Sequence, residues 1–397
     1  MSKAFHGVRV LDFTHVVSGP FGSYQLGLQG AEVIKVEQRG GEELRFGSLT
    51  PEWGKRGYSP GWAALNGNKK SITLDLKKPQ AVEIVHRLVA EADVVIENFR
   101  PGVMDKLGIG YRALSAIQPR LIYCAVTGFG QEGPDSATGS FDGMIQAVSG
   151  MMSMTGDPAT GPVRTGFAAA DVITGMTAAF AVSAALFQRT HTGQGQYIDV
   201  AMLDASMSFM AQQLTECLIG GHIQRQFGNL SVSRKPTADL FPTRDGSLIL
   251  AVIHEKQYQR LLTVLGREDL RTDPRLADWP ARIAHAPLLR AAVAETMQQR
   301  TTEEWATCLR ESDIPCGRVL NVREALDSPQ LQHRSLLQTV EGPLGPMTLV
   351  GAGFKMAHDE GGVDRPPPLP GQHTEELLRA AGYAEDAIRA LRESEVV

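Results

Sequence analysis

Short apolar runs alternate with amphipathic stretches along the first 130 residues of the chain. Val8 to Asp12, Ala31 to Val36, Ser71 to Leu76, Val94 to Ile96 and Leu121 to Val126 are compact runs rich in Val and Ile, which predicts short buried strands. Between them, residues 21–29, 79–91 and 103–117 carry apolar side chains at helical spacing. Ser18-Gly-Pro20 breaks the chain after the first run. Strands that alternate with helices predict a parallel sheet with helical crossovers, hence an α/β domain.

Further on, residues 171–188 form a nearly apolar, alanine-rich stretch that reads as a buried helix, closed by the stop chemistry of Thr192-Gly-Gln-Gly195. Tyr197 to Val200 reads as a strand and 202–218 as one long helix. His222 to Pro236 is polar, basic and non-periodic, as expected of a linker. A smaller mixed region follows, with a strand at 247–253, helices near 255–265, 286–299 and 302–311, and a strand at Arg318–Leu320. A hairpin-like Met347–Gly351 precedes the stiff Pro366-Pro-Pro-Leu-Pro370, and 373–393 reads as one broken helix.

Charge and cysteine usage narrow the function classes. The net charge is −5, and the apolar fraction of 43% is ordinary for a globular protein. A small negative charge argues against nucleic acid or an anionic membrane as partner. Cys124, Cys217, Cys308 and Cys316 are widely spaced without a C-x-x-C pair, which speaks against a disulfide scaffold and a cysteine-based metal module. No run reaches about 18 uninterrupted apolar residues. The first twenty residues carry Asp12, His15 and Gly19-Pro20 instead of a secretion signal. The expectation is a cytoplasmic protein that binds no metal, no membrane and no nucleic acid.

Gly128-Phe-Gly130-Gln-Glu-Gly133 matches the dinucleotide fingerprint, but Pro134-Asp-Ser-Ala-Thr-Gly139 follows it where a helix would have to begin. Asp171 is the one carboxylate between Asp157 and Asp199, at the start of the apolar helix. Two readings stand open. It is a helix N-cap, or a desolvated carboxylate that the helix start keeps anionic for use as a nucleophile. His15 is a structural histidine or a ligand-contacting loop residue. Glu37, Arg39, Lys69, Lys70, Lys77, Arg100 and Lys106 recur at strand ends and crossovers, which allows an anionic ligand beyond the sheet.

Together these residues resemble class III CoA-transferases, the family that includes formyl-CoA transferase and the carnitine CoA-transferases. The resemblance rests on Val10-Leu-Asp-Phe-Thr-His15, Gly19-Pro20, Gly30-Ala-Glu-Val-Ile-Lys-Val-Glu37, Asn66-Gly-Asn-Lys69 and Glu97-Asn-Phe-Arg-Pro-Gly102. Ser149-Gly150, Thr155-Gly156, Asp171 with Thr174-Gly175, and Thr192-Gly-Gln-Gly-Gln-Tyr-Ile-Asp199 extend it over essentially the whole chain. It implies a Rossmann-like large α/β domain with a parallel sheet, built from residues 1–215 and 326–397, with linkers and a smaller α+β domain in 216–325. It also implies two ring-like chains interlocked as a homodimer.

The same resemblance implies that Asp171 is a catalytic nucleophile in a CoA transfer from an acyl-CoA to a carboxylic acid. Coenzyme A enters as substrate, and no cofactor is held permanently. The positions matching the family's CoA contacts are His15, Val17, Ser18, Gln38, Arg39, Leu74, Lys77, Asn98, Phe99, Arg100, Lys106, Thr127, Phe129, Gly130 and Met202. Leu74 and Phe99 are expected to flank the adenine. Gln38 stands where some members carry arginine, with Arg39 adjacent. Val17 replaces a glutamine of formyl-CoA transferase, and that enzyme's glycine-run loop has no counterpart at 225–245. Oxalate and formate are therefore disfavoured against another carboxylate pair, with a dicarboxylate among the candidates. A non-catalytic acyl-CoA-binding relative and an α-methylacyl-CoA racemase of the same fold are the competing functions. The racemase needs a histidine where Ser140-Phe141-Asp142 places Phe141, which cannot transfer a proton.

Overall fold

A computed structural model describes residues 3–47 and 49–397. Residues group into two units by contact, the first comprising 1–151, 164–223 and 330–397 and the second 152–163 and 224–329.

In the first unit six strands, β1 (Arg9–Asp12), β2 (Glu32–Glu37), β3 (Lys69–Thr73), β4 (Val94–Glu97), β5 (Ile122–Thr127) and β6 (Gln196–Ala201), form one sheet. All pairings are parallel, in the order 3-2-1-4-5-6, which is the doubly wound order. Alternate residues feed opposite faces. Leu11, Ile34, Ile72, Val95 and Tyr123 join one core, and Val10, Val33, Val94, Ile122 and Cys124 join the other. Burial on both faces is why the strands read as unbroken apolar runs.

Helices α1 (Ser18–Leu28), α2 (Pro79–Val89), α3 (Asp142–Val148), α4 (Ala169–Thr192), α5 (Met202–Phe209) and α6 (Ala211–Gly220) belong to this unit. The expected boundary at 215/216 therefore falls inside α6, and the expected single helix 202–218 is broken at Met210. Residues 103–117 likewise form two short helices, Val103–Lys106 and Tyr111–Ile117. Gly108 between them takes φ +75°, which ends the first.

The second unit holds β7 (Leu240–Pro242), β8 (Ser247–Leu250) and β9 (Cys316–Arg318), all antiparallel. They pack with α7 (Glu255–Leu265), α8 (Ala286–Met297) and α9 (Thr302–Glu311) around Phe241, Leu248, Tyr258, Leu261, Leu289 and Trp305. Residues 224–236 carry no helix or strand. The chain then returns to the first unit through a hairpin of β10 (Leu337–Gly342) and β11 (Gly345–Val350), then α10 (Thr374–Ala380) and α11 (Glu385–Glu393). Leu377, Leu378, Ile388 and Leu391 complete the core that β1 and β2 began.

Helix α4 departs from the expected buried helix. Ala178, Val182 and Ala185 face the sheet, but Phe180 is 75% and Phe187 68% exposed. Among the described residues, it is the helix whose length and mean hydropathy (1.6) suffice to cross a membrane. Thr174, Thr177 and Ser183 interrupt it, which is why no unbroken apolar run appears in the sequence.

Candidate active site

The carboxyl ends of β1 and β4 lie side by side where the strand order reverses, the place where open α/β sheets bind ligands. The loops leaving these strands are stitched together. His15 N donates to Asn98 Oδ1 (2.9 Å), and Asn98 Nδ2 donates to the His15 carbonyl (2.8 Å). The His15 ring meets Phe99 edge-on, with centroids 5.3 Å apart.

Val16 follows with φ +67°, a left-handed backbone that costs a β-branched residue about 1–3 kcal/mol. The surroundings hold it there. Glu42 Oε2 accepts the Val16 N–H (2.9 Å), and Lys35 Nζ donates to the Thr14 carbonyl (2.7 Å). Lys35 pairs with Glu42 at 2.9 Å, and Lys69 pairs with Asp12 at 2.9 Å, all four deeply buried. Trp62 Nε1 donates to Glu42 (2.7 Å) and Ser23 Oγ to Asp12 (2.6 Å). Burial alone would push the Asp12 carboxyl up, but Lys69 and Lys35 overcome it and hold the group well below the usual carboxylate range.

Asp171 is the third residue of α4, and the N-cap position is Ala168, which makes no capping bond. Asp142, at the start of α3, does the capping. Its Oδ1 accepts the N–H of Ala170 (2.8 Å) and of Asp171 (3.3 Å). Its Oδ2 accepts from Gln146 Nε2 (2.6 Å), whose Oε1 accepts the Thr165 N–H (3.0 Å). The N-cap reading of Asp171 is thereby corrected, and so is the expectation that the helix start keeps it anionic. Burial first, and the Asp142 charge second, push the Asp171 carboxyl up to about 7. The sequence analysis gives Asp142 no role, because its partners at Ala170 and Asp171 lie far along the chain. An aspartate opening a helical pattern was the available signal.

Gly175 lets α1 and α4 touch. A Cβ there would lie 2.4 Å from the Ser18 carbonyl, and one on Gly22 would lie 2.9 Å from the Gly175 carbonyl. That approach brings the start of α1 to Asp171. A cavity of about 330 Å³ results, lined by His15, Ser18, Asn98, Phe99, Arg100, Thr127, Asp171 and Met202, with Val16 and Phe141 also on its wall. Arg100 packs against Gly139 and forms no ion pair among the described residues.

The other expected contacts lie outside that cavity. Val17 holds the N-cap position of α1. Gln38 Nε2 donates to the Gly41 carbonyl (3.0 Å), and Arg39 pairs with Glu395 (3.3 Å). Lys77 and Lys106 are exposed. Phe129 packs on Ile145, Ala170 and Met202, and the Gly130 N–H donates to Thr127 Oγ1 (3.0 Å). Leu74 is 1% exposed inside the sheet core, so its side chain has no face to offer an adenine. After Gly128–Gly133 the next helix begins only at Asp142, so the fingerprint lacks its helix.

Residues 5–374 match the family model described as CoA-transferase family III. The chain is 36% identical over 377 residues to a succinate–glutarate CoA-transferase of Agrobacterium fabrum, covering 94% of each. It is 33% identical over 400 residues to the succinyl-CoA:glutarate CoA-transferase of Homo sapiens, covering all of this chain and 90% of that one. A solved structure of a CAIB/BAIF family protein from Brucella suis superimposes with a TM-score of 0.87 at 32% identity, covering 96% of this chain and 100% of that one.

Proposed function

The chain belongs to CoA-transferase family III, and from that premise we propose that it carries CoA from an acyl-CoA donor to a carboxylic acid through covalent intermediates on Asp171. One observation carries the reading: a desolvated Asp171 carboxyl on the wall of a cavity that also holds the unpaired Arg100. A carboxyl that titrates near neutrality is ionised in a large fraction of molecules, and stripped of water it is a better nucleophile than a solvated aspartate.

The Asp171 carboxylate attacks the thioester carbonyl, the C–S bond breaks, and CoA leaves as thiolate. The product is a mixed aspartyl anhydride. The thiolate then attacks the aspartyl carbonyl, the anhydride C–O bond breaks, and the donor acid departs as its carboxylate. The acceptor carboxylate attacks the resulting enzyme–CoA thioester, forming a second anhydride and freeing the thiolate. Attack of the thiolate on the acceptor acyl group restores Asp171. No proton is gained or lost. The first turn of α1, with Ser18 on the cavity wall, offers a helix N-terminus to the oxyanions of these steps.

A dicarboxylate is the acceptor class this reading favours. Two relatives are named for succinate or succinyl-CoA and glutarate, and Val17 replaces the glutamine of formyl-CoA transferase. The working unit in this reading is a homodimer, for which the exposed Met176, Phe180 and Phe187 along α4 supply an apolar face. The four unpaired cysteines suit the cytoplasm. Incubating the protein with a panel of acyl-CoAs and short mono- and dicarboxylic acids, read by chromatography, tests the assignment. New CoA esters of dicarboxylates are the expected product, and hydrolysis without transfer would refute it.

A further inference from the structure

We propose that Asp142 is a positioning residue for Asp171, fixing the backbone of the nucleophile with one carboxylate oxygen and setting its charge balance from across the first turn of α4. The inference rests on Asp171 being the nucleophile. Asp142 Oδ1 takes the N–H groups of Ala170 and Asp171 at 2.8 and 3.3 Å, which leaves the Asp171 side chain out of the capping bonds and on the cavity wall. Gln146, almost wholly buried, locks Asp142 Oδ2 at 2.6 Å and ties the same cluster to Thr165. The carboxylate that holds Asp171 in place is therefore itself unable to swing away.

A cap of this kind needs only an acceptor oxygen, and Asn serves as well as Asp. The charge of Asp142 has a separate consequence. Asp204 on α5, Asp199 and Tyr197 on β6, Tyr123 and Cys124 on β5, Tyr24 on α1, and His15, Arg100 and Arg164 on the loops are other titratable or charged groups of the elements packed around Asp171, with Arg164 against Gly143 beside Asp142. Asp199 is engaged with the Gln131 N–H (2.9 Å) and Tyr24 with the Val350 carbonyl (2.8 Å). Tyr123 and Tyr197 stack on each other. Asp142 is the charge that bears on the Asp171 carboxyl, in the direction of protonation. Like charges so disposed keep a carboxylate reactive, because ionisation is won against a neighbour instead of being stabilised by one.

Asp142→Asn keeps an accepting oxygen for the Ala170 and Asp171 N–H groups and loses the charge, and it also loses the Gln146 bond, because the new amide NH2 would face Gln146 Nε2. The test is the pH profile of kcat/KM in the wild type and in Asp142→Asn, with a carboxyl-carbon NMR titration of Asp171 assigned by its loss in Asp171→Asn. The expected result is a downward move of the acidic limb, and of the NMR midpoint, by about one pH unit, read on protein that a thermal melt shows to be folded. Asp142→Ala should lose kcat further while KM changes little, because the nucleophile is no longer held. The NMR midpoint reads the influence of Asp142 even if Asp171 proves not to be the nucleophile, so the two claims fail separately. An unmoved midpoint in Asp142→Asn, or wild-type turnover in Asp142→Ala, would overturn the proposal.

Discussion

His15 and Asn98 close a two-bond ring between main chain and amide, His15 N to Asn98 Oδ1 at 2.9 Å and Asn98 Nδ2 to the His15 carbonyl at 2.8 Å. The ring spans the two loops that leave the sheet at its switch point, so it sets the spacing of the cavity walls on which His15 and Arg100 lie. Asn98→Asp should break one half of it, because a carboxylate oxygen would face the His15 carbonyl. The expected loss is about 1–3 kcal/mol of stability together with a raised KM for acyl-CoA. Thermal melts beside steady-state kinetics check this, and a KM equal to wild type would remove the loop-spacing role.

The raised Asp171 carboxyl has opposite consequences for stability and for rate. Protonation of Asp171 is favoured in the folded chain, so the stability linked to it is complete below about pH 4 and is lost as pH rises through about 7. Asp171→Asn removes that liability. It should melt above the wild type at pH 8 by the equivalent of about 2–4 kcal/mol, with no gain near pH 4. Rate runs the other way, since the ionised form is the nucleophile. The wild-type kcat/KM should rise with pH and level off above about 7. Equal melts at pH 8 would show that the carboxyl is not desolvated.

Gly175→Ala should be costly where Gly166→Ala is not. A Cβ on Gly175 would meet the Ser18 carbonyl at 2.4 Å, whereas nothing lies within 4 Å of one on Gly166. Forcing α1 and α4 apart is expected to cost about 1–3 kcal/mol and to reduce turnover by displacing Ser18, while Gly166→Ala stays within about 0.5 kcal/mol. Denaturant titration of both variants separates a packing effect from a mere loss of glycine.

Strands were legible in the sequence because a parallel sheet buried on both faces leaves continuous apolar runs, as in β4 and β5, where every residue is buried. The carboxyl-end loops with His15 and Arg100 were legible for the same reason, since strand ends locate them. What escaped was set by contacts distant in sequence. Gln226 Nε2 donates to the carbonyls of Thr155 (2.7 Å) and Gly161 (2.6 Å), which ties 152–163 to the second unit with no periodic signal. Asp142 caps a helix that starts 27 residues later in the chain, a partnership no local pattern encodes. Leu74, which the resemblance puts beside the adenine, follows β3 into the core instead.

The exposed face of α4 makes a prediction about assembly. Phe180→Asp with Phe187→Asp should leave the fold of each chain intact, since both side chains are already in solvent, yet weaken association. If the chains are interlocked, wild-type dimers will persist at nanomolar concentration and separate only on denaturation. Analytical ultracentrifugation across that range decides it, and an active wild-type monomer would exclude interlocking.

The most direct measurement is chemical. The protein is incubated with an acyl-CoA, reduced with borohydride and digested, and the peptide carrying position 171 is weighed. An enzyme-bound CoA thioester on Asp171 is reduced to a homoserine side chain, so the account predicts that mass change at 171, in wild type only, with Asp171→Asn losing kcat/KM by about a thousandfold or more. An unmodified peptide from protein that is turning over, together with normal turnover by Asp171→Asn, would contradict it.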